Sequence, residues 1–365
     1  MYILMNDYNI VFVSNKNFLF YCVVCKGYLK SNYDINSRIY MVNDNLKKED
    51  LQLKDNDIVI PFTFEGMSFC YGLNNCLVMS PRQIDYLNDK QSCGEFIDML
   101  NVPNIPTFYN HKYDSLSDLN NFTNNFSDES TYCIKGRTTS ASRDIKFVSK
   151  PELLKKYKDN RKSFDDYIVQ LYIESDYILA IDCICYKGEI KGFLINKSPL
   201  FFRKEDKFLK NRFKRFTHEL VNSRSNNMFY NRVIENTEHI IKKVNYDGFI
   251  EIEWLCREND NKLLFLEINP RMSGNLNYSN YEGGRKVYLP YIDILLLNYV
   301  GVIMENKMKN NCEDYKKLKS SIPCKDTFPK KITKGSYNLV FRPFLIILCL
   351  IIIVVLISKL DFSNK

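Results

Sequence analysis

The sequence predicts an α+β body behind a small α/β unit, followed by an apolar C-terminal helix. Three observations predict it. Residues 1–84 alternate short apolar runs with polar turns at strand–helix–strand spacing. Residues 85–302 mix helical stretches with consecutive strands joined by tight turns. Phe344–Ile357 is an unbroken run of 14 apolar residues.

In the first unit the apolar runs are Ile10–Val13, Phe18–Val24, Ile39–Val42, Ile58–Pro61 and Cys76–Met79, and they imply a parallel sheet. No Gly-x-Gly-x-x-Gly is present, which argues against a dinucleotide fold. Cys22-Val23-Val24-Cys25 has redox spacing, yet it lies in an apolar run and reads as core. The twelve cysteines, otherwise scattered, point to a reducing compartment. His111, His218 and His239 are isolated, so no zinc site is legible.

From Asp89 the pattern gives a helix over Lys90–Leu100, a turn at Pro103 and Pro106, and a polar helical stretch toward Ser130. Strands follow at Tyr132–Lys135 and Ile145–Val148, then a helix around Glu152–Tyr157 and strands at Tyr167–Ile173 and Tyr177–Tyr186. A helix is expected from beyond Asn211 to about Val244. Gly248–Cys256 and Lys262–Asn269 then form a hairpin across Arg257–Asn261.

Strand alternation places Leu263, Phe265, Glu267 and Asn269 on one face of that hairpin, and Leu264, Leu266 and Ile268 on the other. Glu251 and Glu253 share a face of the preceding strand. Carboxylates gathered in this way need cations, and hard oxygen donors suit Mg²⁺. From the hairpin alone a solvated charged face is an equal reading. Pro270 then stops the strand and places the fork-shaped guanidinium of Arg271 beside the acids.

Glu253, a gap, and Glu267-Ile268-Asn269-Pro270-Arg271 resemble the metal-binding end of the ATP-grasp superfamily, especially its carbamoyl-phosphate-synthase-like, carboxylate–amine ligase members. Asn88-Asp89-Lys90 resembles the start of that family's ATP-grasp region. Lys135–Ile145 resembles its phosphate lid, and Val169–Ile173 its adenine hinge. The resemblance covers about residues 85–302 and implies an ATP-grasp fold of two subdomains clamping ATP, with residues 1–84 as the pre-ATP-grasp domain.

It also implies roles. Lys90, Lys135, Ser140 and Ser142 would bind the phosphates; Gln170, Leu171, Tyr172 and Ile173 would read the purine; Asp176 would reach the ribose, and Phe265 would floor the adenine. Glu253, Glu267 and Asn269 would hold Mg²⁺, two ions being expected with Mn²⁺ as an alternative. Arg271, Lys135 and Arg143 would be catalytic. The lid departs from the family pattern at Gly136, which stands in place of proline, and at Thr139, Ala141 and Asp144, where side chains in place of glycine restrict closure.

The implied reaction activates a small carboxylate as an acyl phosphate for attack by an amine or similar nucleophile. An ATP-binding pseudoenzyme or scaffold at a membrane surface, and a small-molecule kinase, are the alternatives. Arg203, Arg271 and Arg285 are candidate carboxylate contacts, on loops expected over 196–211 and 273–288.

The net charge of +8 is concentrated between Glu305 and Arg342, which carries ten Lys or Arg against four acids. The rest is near neutral, which disfavours a nucleic-acid surface but not a phosphate-binding pocket. Residues 303–342 thus read as a basic juxtamembrane linker and 343–360 as a transmembrane anchor. Fourteen apolar residues fall short of the roughly 17–25 a span needs, but Leu339–Leu360 supplies 22 positions with Arg342 and Lys359 near the ends. The expectation is a single-pass C-terminal membrane anchor with the body in the cytoplasm.

Overall fold

Short apolar runs, buried along their strands, build the sheets. A computed structural model describes residues 8–111, 114–139, 145–199, 219–220, 228–273, 280–282, 286–288 and 291–307.

Strands β1 (Asn9–Ser14), β2 (Ser37–Met41) and β3 (Asp57–Pro61) form the expected parallel sheet in the order β2-β1-β3. The run Phe18–Val24 is not a strand. It lies mostly in helix α1 (Leu19–Tyr33), the crossover that returns the chain to a parallel neighbour. Cys22 and Cys25 are buried there, and burial pushes the Cys22 thiol up to about 11, in keeping with core packing. Helix α2 (Phe64–Cys70) follows β3, and the run Cys76–Met79 carries no strand.

Helices α3 (Pro81–Asn88) and α4 (Lys90–Met99) lead to β4 (Thr107–Tyr109) and α5 (Leu116–Asn124). Strands β5 (Thr131–Gly136) and β6 (Lys146–Ser149), helix α6 (Lys150–Asp159) and strand β7 (Tyr167–Leu171) come next. β4-β7-β5-β6 is an antiparallel sheet packed on α5 and α6 through Leu119, Tyr132, Leu153 and Tyr157.

The second antiparallel sheet, in the order β10-β9-β8-β11-β12, uses β8 (Tyr177–Tyr186), β9 (Glu189–Pro199), β10 (Glu219–Leu220), β11 (Gly248–Arg257) and β12 (Lys262–Asn269). The sequence reading missed β9. Its signal was the two-residue turn Lys187-Gly188, both at positive φ, followed by alternating Ile190, Phe193 and Ile195. Glu219–Leu220 pairs with β9 where a helix was expected, and the described part of that helix is α7 (Met228–Val244).

A short paired ribbon, β13 (Asn280–Glu282) and β14 (Lys286–Tyr288), precedes the π-helical turn Tyr291–Leu296 and α8 (Leu297–Lys307). Ile303 and Met304 are buried against the parallel sheet, so packed structure continues past residue 302 into the expected linker. Among the described residues no helix is long and apolar enough to cross a membrane, and the segment 343–360 lies outside them.

Candidate active site

Strand β11 has two unlike faces. Ile250, Ile252 and Trp254 join Leu179, Ile181 and Cys183 of β8 in a core covered by Val233, Ile240 and Ile241 of α7. The opposite face carries Glu251 beside Asp182 of β8, with Glu253 beside Ala180. Across β12, Glu253 faces Glu267 and Glu251 faces Asn269, so the acids and the amide do gather on one surface.

One part of the expected alternation fails. A bulge lies between Glu253 and Trp254, so Trp254 pairs with Phe265 and leaves Leu266 as the extra residue. The slip turns Leu263 and Phe265 away from Glu267 and into the core. There the Phe265 ring meets Trp254 edge-on, with centroids 5.8 Å apart. Phe265 is thus not on the acidic face. It borders instead a small cleft that it shares with Lys90, Gln170 and Glu267.

The acidic face is electrostatically loaded. Burial, then Glu267 and Asp182, push Glu253 up to about 8, with Lys135 and Arg271 opposing. Glu251, only 5% exposed, is held well above the ordinary carboxylate range by burial, Asp182 and Glu253. Asn269 Nδ2 donates to Glu251 Oε2 at 3.0 Å and to Glu267 Oε1 at 3.4 Å. Among the described residues no three Asp, Glu, His or Cys side chains converge as a metal cage. The donor set Glu253, Glu267 and Asn269 is nevertheless all hard oxygen, which fits an ion completing its shell from phosphates and water.

Cations approach from two directions. Lys90, the first residue of α4, has Nζ 3.9 Å from Glu267 Oε2 and donates at 2.6 Å to Thr139 O at the root of the lid. Lys135, on β5, donates at 2.5 Å to Gln170 Oε1 of β7, while Gln170 Nε2 donates to Thr107 Oγ1. Gln170 therefore bridges Lys135 and Thr107, and it lines the same cleft as Lys90 and Phe265. Burial pushes the Lys135 ammonium below its ordinary value.

Arg271 stands at the end of β12 with its guanidinium 5.6 Å from the centre of the Phe64 ring, and Nη1 donates to Met272 O. At the hinge, the N–H groups of Leu171 and Tyr172 are taken by Pro106 O and Thr131 O, which leaves Ile173 as the candidate backbone donor. The Asp176 carboxylate accepts from the Glu258 N–H at 2.7 Å and so braces the β11–β12 turn.

Ser140, Ser142 and Arg143 lie outside the described residues, as do Arg203 and Arg285. Sequence reasoning missed Arg137, which ion-pairs with Asp89, while the Lys90 N–H donates to Arg137 O at 2.9 Å. Asp89 also caps α4 by accepting from the N–H of Gln91 and Ser92. An aspartate directly before a helix, with a Lys-Gly-Arg strand end downstream, was the available signal.

Comparison with known proteins agrees with this geometry. A family model described as the ATP-grasp domain matches residues 87–275. No curated protein matches the sequence. Among solved structures, D-alanine–D-alanine ligase from Bacillus anthracis is 13% identical with a TM-score of 0.53, over 84% of this chain and 99% of that one. D-alanyl-alanine synthetase A from Vibrio cholerae is 12% identical with a TM-score of 0.52, over 72% and 89%. The biotin carboxylase domain of Hydrogenobacter thermophilus 2-oxoglutarate carboxylase, in complex with MgADP, ADP and bicarbonate, is 15% identical with a TM-score of 0.50, over 73% and 65%. At these identities the likeness establishes the fold.

Proposed function

The chain belongs to the ATP-grasp family, and from that premise we propose that it is an ATP- and Mg²⁺-dependent ligase. It activates a small carboxylate as an acyl phosphate for attack by an amine or similar nucleophile. The observation that carries the reading is the meeting of Lys90 with Glu267, an ammonium 3.9 Å from a carboxylate of the acidic face.

Glu253, Glu267 and Asn269 would hold Mg²⁺, which would supply charge neutralisation for a transferring phosphoryl group. Lys90 and Lys135 bind phosphate oxygens and keep them in line. Gln170 fixes the Lys135 ammonium, and Ile173 offers its N–H to the purine. Arg271 binds the acyl phosphate through its planar fork. The work is positioning and charge neutralisation, so no side-chain nucleophile is required. The lid residues Ser140, Ser142 and Arg143 close over the phosphates in this scheme.

We also place the body at a membrane surface, on the cytoplasmic side, because the apolar run Phe344–Ile357 follows a basic stretch.

The full chain in detergent micelles, given MgATP and a metabolite extract, should release ADP and phosphate and yield a new amide or other condensation product by mass spectrometry. A lasting phosphorylated product would turn the assignment to a kinase. Absence of ADP release across amino acids and other carboxylates would end the ligase reading.

A further inference from the structure

Opposite Asn269 on the neighbouring strand stands Glu251, an acid that the donor set above leaves without a task. Its Oε2 accepts from Asn269 Nδ2 at 3.0 Å, and Glu267 Oε1, two residues before Asn269 on the same face, accepts from the same nitrogen at 3.4 Å. A side-chain amide has one donor end and one acceptor end. Turned the other way, Asn269 would set its Oδ1 against the Glu267 carboxylate and lose both N–H contacts, so the two acids favour the orientation that keeps Oδ1 clear of them. Glu251 is 5% exposed and therefore held in place, whereas Asn269, Glu253 and Glu267 stay partly open.

We propose that Glu251 is a positioning residue that clamps the Asn269 amide so that Oδ1 remains the oxygen offered to the divalent cation. The assignment rests on the nucleotide–metal reading above and adds to it the residue that orients a ligand. A partner that orients a metal ligand is typically worth about 10–100-fold in metal affinity. A merely structural role would lower stability without separating metal affinity from nucleotide affinity.

The test uses the full chain with Mn²⁺ as the probe ion, titrated by electron paramagnetic resonance in saturating ADP, and metal-free ADP binding measured by calorimetry in EDTA. Glu251→Leu removes the acceptor, and its Mn²⁺ affinity should fall by about 10–100-fold. Glu251→Gln keeps an acceptor oxygen and should stay within about threefold of the parent, since a neutral acceptor retains most of the hydrogen bond. Metal-free ADP affinity should be unchanged in both. Glu251→Met, of similar length, serves the same comparison where the leucine variant does not fold.

Unaltered Mn²⁺ affinity in Glu251→Leu, or equal losses in the leucine and glutamine variants, overturns the clamp while leaving the nucleotide site standing. A parent protein that binds no Mn²⁺ with ADP overturns the site and the clamp together.

Discussion

The two faces of strand β11 are built from alternate residues of one segment, yet they work against each other. Ile250, Ile252 and Trp254 are fully buried and gain from leaving water. Glu251 and Glu253 point the other way, toward Asp182, Glu267 and Asn269, and carry the strain of crowded carboxylates. The difference teaches that the apolar face stabilises the sheet while the acidic face is tolerated because cations complete it. Trp254 is the sharpest probe of the stabilising side, since it is wholly buried and packs edge-on against Phe265. Trp254→Ala should cost about 3–5 kcal/mol by denaturant unfolding. A loss below about 1 kcal/mol would mean that the two faces do not differ as described.

The same measurement on the acidic face should change sign. Glu253→Leu removes a crowded acid and should raise the stability of the metal-free protein above pH 8, where that acid is ionised. It should also abolish stabilisation by Mg²⁺ and ADP. Destabilisation in the absence of metal would show that Glu253 is supported by the fold itself.

The pH dependence follows from the same group. The folded value of Glu253 is about 8 against an ordinary 4.5, so the native state binds the extra proton. Its contribution is therefore full below about pH 4.5 and is lost as pH rises toward 8, on the order of a few kcal/mol. Metal binding needs the ionised form, so Mg²⁺ affinity should strengthen over the same window. Thermal melts from pH 5 to 8.5 should show a fall in metal-free stability that Glu253→Gln flattens.

Much of this contrast was legible in the sequence because strand alternation is a local property. The resemblance carried by Lys90, Lys135, Glu253, Glu267 and Asn269 implied the site, and the structure brings Lys90 within 3.9 Å of Glu267. What escaped was set by pairing across strands. The bulge that sends Phe265 into the core arises from the fit of β12 to β11, and no single-strand pattern encodes it. The hydrogen bond of Lys135 to Gln170 was not legible, because the two residues come from different strands. Nor was the contact of Asp176 with the Glu258 N–H, 82 residues away.

The smallest expected effect joins the acidic face to the parallel sheet. Arg271 leaves β12 at the end of the acidic row, and its guanidinium lies 5.6 Å from the ring centre of Phe64, the first residue of α2 after β3. An arginine over an aromatic face is held in register for about 0.5–1 kcal/mol at a partly open site. Phe64→Leu keeps the apolar bulk and removes the ring, so it should leave MgADP binding intact. It should weaken the binding of inorganic phosphate to the MgADP-loaded protein by about two- to fivefold, the affinity equivalent of that energy. Phe64→Tyr restores a ring and should restore the affinity. If phosphate binds equally well to all three proteins, Arg271 is oriented by the Met272 carbonyl alone, and the acidic face takes no support from the parallel sheet.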